Sequence, residues 1–195
     1  MAIPTDRDLA QRARSGDAGA YGELVRRHQP RIFRLALHML RDRAAAEDIT
    51  QETFIRAWRA LEGFDGRSEF YTWIYRIAVN VSLNALRSRR ASRLTSDDAR
   101  VDAAAIESRP GASAGPAGDA ARKQQYEALC EAIDALSETL RTTLILVCIE
   151  GKSHEEASGI LGAPEGTIAW RVHEARRKLK AFMAARGFDV DEGAP

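Results

Sequence analysis

Cysteine is almost absent from this chain. There are two, Cys130 and Cys148, with no CxxC pair and no cysteine–histidine cluster, which excludes a disulfide scaffold and the common zinc-binding motifs. Both fall on apolar helical faces and read as buried thiols. The histidines are scattered at 28, 38, 154 and 173, so metal-ligand spacing is missing. A phosphate-cradling loop and a nucleophile–base pairing are missing too. The expectation is a protein that is not an enzyme and needs no cofactor and no metal. The longest strongly apolar run, TTLILVCI, is too short for a bilayer, and MAIPTDRDLAQRARSGD lacks the apolar stretch of a signal peptide. The expectation is therefore no stable membrane insertion and a cytoplasmic location. Alternation of polar and apolar residues between turn signals is absent as well, which excludes a sheet protein.

Lysine is missing from residues 1–90, which hold sixteen arginines against eleven acids, a local excess of +5, although the whole chain is only +1. Charge is therefore arranged in patches, and patches select partners. Five of the ten basic residues of 121–195 fall within 171–180.

Helical periodicity fills the rest. A helix starts near Thr5 and stops at Ser15-Gly16-Asp17. Tyr21, Leu24, Val25, His28, Ile32, Leu35, Ala36, Met39 and Leu40 recur at helical spacing, with Pro30 predicting a break or kink. A helix through AEDITQETFIRAW ends near Gly63, and a long one follows a DGRS loop, with Ser68 as its N-cap. Residues 91–120, rich in Ala, Gly, Ser and Asp, read as a flexible tether. Four further helices follow it. The fold class is all-α: two small helical domains, 1–92 and 122–185, joined by a flexible linker over 93–121, with a tail over 186–195.

Three constellations carry chemistry. Asp48, Gln51 and Glu52 share one stripe of a helix, beside a Phe54, Trp58, Leu61 stripe that reads as core. On the long helix, Phe70, Ile74, Ile77, Ala78, Val81 and Ala85 face inward, and Trp73, Arg76, Asn80, Asn84 and Arg87 form a neighbouring stripe. An aromatic, two amides and two cations suit an unpaired DNA strand; Trp73 also fits the margin of the core. In the last quarter, a short helix ending at Gly162, a turn holding Pro164 and a helix carrying Ile168 inward have the layout of a helix-turn-helix. Its second helix presents Glu165, Thr167, Trp170, Arg171 and Glu174, with Arg176, Arg177, Lys178 and Lys180 beyond. A plain αα-hairpin with a solvated basic end fits the same pattern.

AEDITQETFIRAW, then FDGRSEFYTWIYRIAVN, then EGKSHEEASGILGAPEGTIAWRVHEARRKL resemble, in that order, a bacterial sigma factor of the extracytoplasmic-function group. The resemblance covers roughly 8–92 and 124–182. It implies that the first domain binds core RNA polymerase and melts the −10 promoter element, and that the second reads the −35 element. Asp48, Gln51, Glu52 and Ile55 would meet the clamp coiled coil of the polymerase. Phe64, Arg67, Ser68, Trp73, Arg76, Asn80, Asn84, Arg87 and Arg90 would engage −10 DNA, and Glu165, Thr167, Trp170, Arg171, Glu174, Arg176 and Arg177 the −35 DNA. It also implies promoter DNA and an anti-sigma factor as partners. The second half departs from the family pattern at Ala157, Ser158, Ala169, Trp170 and Glu174, so an altered −35 preference is expected. The alternative is a helix-turn-helix regulator that binds duplex DNA without polymerase.

Overall fold

The computed structural model describes residues 3–95 and 116–188, which form helices joined by short turns and loops, with no strand among them. The middle of the expected tether lies outside the described residues. The chain divides into two compact units.

The first unit is built on α1 (Asp6–Arg14), α2 (Ala18–Leu40), α3 (Arg43–Ala60) and α4 (Phe70–Thr95), with a 3-10 turn at Leu61–Gly63. Each early start has a chemical reason. Thr5 and Asp8 form a reciprocal capping box, and Asp17 and Asp42 accept the backbone N–H of Ala20 and Ala45; such caps satisfy donors the helix leaves orphaned. The core is filled by Leu9 and Ala13 of α1, Leu24, Ile32 and Leu35 of α2, Phe54 and Ala57 of α3, and Phe70, Ile74 and Ala78 of α4, all nearly solvent-free.

Pro30 does not break α2, which runs unbroken through it. Pro30 sits on the exposed side, where the carbonyl it leaves without an N–H partner can reach water. Leu40 passes to α3 through Arg41, whose φ of 53° is left-handed, a conformation that costs a non-glycine residue about 1 kcal/mol. Glu69, not Ser68, immediately precedes α4, and its carbonyl accepts the N–H of Trp73. The long helix continues to Thr95, past the expected boundary at 92.

The second unit contains α5 (Pro116–Ala135), α6 (Glu138–Leu144) and α8 (Glu165–Ala185). α5 thus begins inside the expected linker. Leu136, Leu140 and Leu144 pack with Ala175, and Ala128 and Ala132 with Met183. α6 runs directly into a π-helical turn, Ile145–Ile149, closed by the Glu150 N–H to the Ile145 carbonyl at 2.9 Å. That turn overturns the expectation of two buried thiols. In a continuous α-helix Cys148 would follow buried Leu144 by one turn. The wider turn rotates it to the surface, where it is exposed, and Cys130 is only half-buried. The short α7 (His154–Leu161) precedes α8.

Candidate polymerase and promoter interfaces

α3 separates its residues by face. Ala46, Thr50, Thr53, Phe54 and Ala57 are buried. The two threonine hydroxyls are satisfied locally, donating to the carbonyls of Ala46 and Ile49 at 2.6 and 2.7 Å, so polar residues enter the core without an orphaned group. On the other side Asp48, Gln51 and Ile55 are exposed and Glu52 is half-exposed. Glu52 accepts from Arg56 at 2.7 Å, a partner the sequence reading did not name.

Trp58 is 43 % exposed and Ile55 45 % exposed, so Trp58 leaves the core expected for it while Phe54 and Leu61 stay inside. At helical spacing Trp58 falls one turn from Ile55, on the outward flank. Its ring lies 4.8 Å from that of Tyr21, and Ala18, Tyr21, Phe54, Ile55 and Trp58 line an apolar groove. Burial pushes the Tyr21 hydroxyl well above its usual pKa; it donates to the Phe54 carbonyl. The acidic stripe is therefore bordered by an open apolar surface.

The loop after α3 is pinned by aromatics. Phe64 is buried, edge-on to Phe70 at 5.8 Å and 5.0 Å from Trp73, which is itself 5.5 Å from Phe70. Of the residues expected to touch DNA here, Phe64 faces the core and serves as an anchor. Arg67 is exposed and Ser68 half-buried. Asp65 accepts the Arg67 N–H at 3.0 Å, and Gly66 has a φ of 72°, the positive value that a turn of this tightness takes most easily with glycine. Along α4, Trp73 is half-buried while Arg76, Asn80, Asn84, Arg87 and Arg90 are exposed. The predicted stripe is thus brought together on one outward face. Arg87 reaches Asn84 at 3.5 Å.

The helix-turn-helix geometry is present. Ser153 and Glu156 cap α7 reciprocally, at 2.8 and 3.0 Å. Gly162 takes a φ of 64°, and the Pro164 carbonyl accepts the Ile168 N–H at 3.0 Å. Ile168, Val172 and Ala175 turn inward. Glu165, Trp170, Arg176 and Arg177 are exposed, and Thr167, Arg171 and Glu174 are partly so. Arg177 grips Glu174 through two hydrogen bonds of 2.8 Å, with Lys178 at 4.0 Å. The Arg177 hydrogen bond holds the Glu174 carboxyl below the ordinary carboxylate range. The charge of Glu174 is thus paired within its own helix. Arg176 lies 3.5 Å from the Cys148 sulfur.

Among the described residues no group of side chains could hold a metal ion, and no helix is long and apolar enough to cross a membrane.

The described residues form an all-α protein of two helical units, in which α7, the turn at Gly162 and α8 have the layout of a helix-turn-helix. The family model for Sigma-70 region 2 matches residues 24–92, and that for Sigma-70 region 4 matches 126–179. The sigma-H factor of Pseudomonas aeruginosa is 35 % identical over 176 residues, covering 89 % of this chain and 91 % of its own. The ECF sigma-E factor of Escherichia coli K12 is 33 % identical over 177 residues, covering 90 % and 92 %. The solved structure of CnrH in complex with the cytosolic domain of CnrY has a TM-score of 0.66 at 30 % identity, covering 93 % of this chain and 99 % of that one.

The chain belongs to the extracytoplasmic-function sigma factors of bacterial RNA polymerase. It acts with core polymerase and directs it to promoters. Sigma factors as a family are initiation factors without catalytic chemistry of their own.

Proposed function

We propose that the outward face of α3, with Asp48, Gln51, Glu52 and Ile55, is the surface that docks on the clamp coiled coil of the polymerase. Acids and an amide steer and register a basic coiled coil, and Ile55 adds apolar area at the centre of the face. The observation that carries this reading is that Asp48, Gln51 and Ile55 are exposed and Glu52 half-exposed on one side of α3, next to the exposed ring of Trp58.

The stripe from Trp73 to Arg90 then receives the separated −10 strand, Trp73 by stacking, Asn80 and Asn84 by hydrogen bonds to bases, and Arg76, Arg87 and Arg90 on phosphates. Arg67 and Ser68, on the loop that Phe64 anchors, stand at the edge where a flipped base enters. α8 reads −35 DNA with Thr167, Trp170 and Arg171 toward bases and Arg176 toward phosphate. Region 2 lies within 1–92 and region 4 within 122–185, with the tether between α4 and α5. The protein does no covalent chemistry, works in the cytoplasm where its polymerase is, and is held inactive by an anti-sigma partner. The complex of CnrH with the cytosolic domain of CnrY supports that last step by analogy.

The test is gel filtration with bacterial core polymerase, the parent beside Asp48→Lys/Glu52→Lys. Co-elution of the parent alone is expected. A folded double variant that still co-elutes removes the α3 face from the interface.

A further inference from the structure

Ile168, Val172, Ala175 and Met183 mark the inward side of α8. At about 100° per residue, Trp170 points roughly opposite their mean direction. It is 61 % exposed, the most open aromatic side chain among the described residues. Helical side chains tilt toward the N-terminus and lie over the preceding turn. One turn before Trp170 is Gly166, which has no side chain and open space where a Cβ would stand. The preceding turn therefore offers the indole no side chain to pack against at that position. Nothing in the packing of the unit calls for an aromatic at this place.

Its surroundings say what covers it. Arg171 follows it, Arg176, Lys178 and Lys180 continue along the helix, and Glu174 one turn on is neutralised by Arg177. The surface is an apolar ring in a cationic field, which suits a polyanion with an apolar spot on its edge. In the major groove only one base offers such a spot, the C5-methyl of thymine.

We infer that Trp170 is a specificity-determining residue that selects thymine in the upstream promoter element by covering its C5-methyl group. The inference rests on the assignment of α8 to the major groove. Ala169, beside it, leaves the groove floor open to the indole.

The experiment is selection of duplexes with a randomised upstream element by the full chain assembled with core polymerase. The parent, Trp170→Ser and Trp170→Phe are compared. The parent and Trp170→Phe should enrich thymine at one position, and Trp170→Ser should lose that enrichment at that position alone. Replacing the selected thymine by uracil removes only the methyl group. It should weaken the parent about fourfold, the worth of one buried methyl-sized group, and leave Trp170→Ser unchanged. If the parent and Trp170→Ser enrich the same sequences, or uracil binds the parent as well as thymine, the inference is overturned and Trp170 faces a protein partner instead. If the parent enriches no upstream sequence at all, the major-groove assignment fails and takes the inference with it.

Discussion

Arg89 donates a hydrogen bond to Asp42 at 2.7 Å, joining residues 47 positions apart. The other carboxylate oxygen of Asp42 accepts the Ala45 N–H at 3.0 Å. One side chain therefore starts α3, which carries the acidic stripe, and ties it to the basic end of α4.

Asp42→Ala should remove both links. Loss of the cap alone lowers stability by about 1 kcal/mol, and the half-exposed ion pair adds little. Arg89→Ala should cost clearly less than Asp42→Ala. Urea unfolding of the two variants checks the order; equal losses would mean that the ion pair, not the cap, is the larger contribution.

The first unit should weaken in acid. The Thr5 hydrogen bonds at Asp8, and the backbone hydrogen bonds from Ala20 at Asp17 and Ala45 at Asp42, lower these carboxyls below their ordinary pKa of 3.8. A folded-state pKa that is depressed contributes stability above the unfolded value and loses it as pH falls through the folded one. Melting temperature should hold above pH 4 and drop below about pH 3.8. Asp42→Asn keeps a capping oxygen without a charge, so its curve should run flatter there than the parent's.

Phe64 and Trp73 touch each other yet should fail differently. Phe64→Ala empties a buried site and should cost about 3 kcal/mol. Trp73→Ala, on the half-exposed margin, should cost less and slow promoter opening more. Permanganate reactivity of unpaired thymines, read beside thermal melts, separates the two.

Arg87→Ala and Arg90→Ala should each lower the steepness with which promoter affinity falls with salt by about one unit of log–log slope, since a lost phosphate contact releases fewer counterions. Binding measured across a salt series decides this. An unchanged slope would place neither residue on a phosphate.

Gly162→Ala should weaken the turn between α7 and α8 by about 1 kcal/mol, because a φ of 64° suits glycine. Its −35 binding should fall while association with polymerase through α3 is retained.

Much of this architecture was legible from residue spacing. The helix start near Thr5, the stop at Ser15-Gly16-Asp17, the inward stripe of α4 and the turn at Gly162 follow from local rules that packing did not overrule. The misses have a common cause: tertiary context. Pro30 stays in a helix because it faces water. Trp58 leaves the core because Phe54 and Leu61 already fill it. Cys148 surfaces because the π-helical turn shifts the register that a uniform 3.6 period assumes. The Arg56–Glu52 pair was available at i, i+4 spacing, whereas no local pattern announces a contact such as Arg89–Asp42.

The charged surface of α1 to α4 contains guanidinium groups and no ammonium group, the first lysine being Lys123 on exposed α5. A lysine-specific protease therefore has its first cutting point there. Digestion should release residues 1–123 as one uncut fragment, giving α1 to α4 in one piece without redesign of the gene.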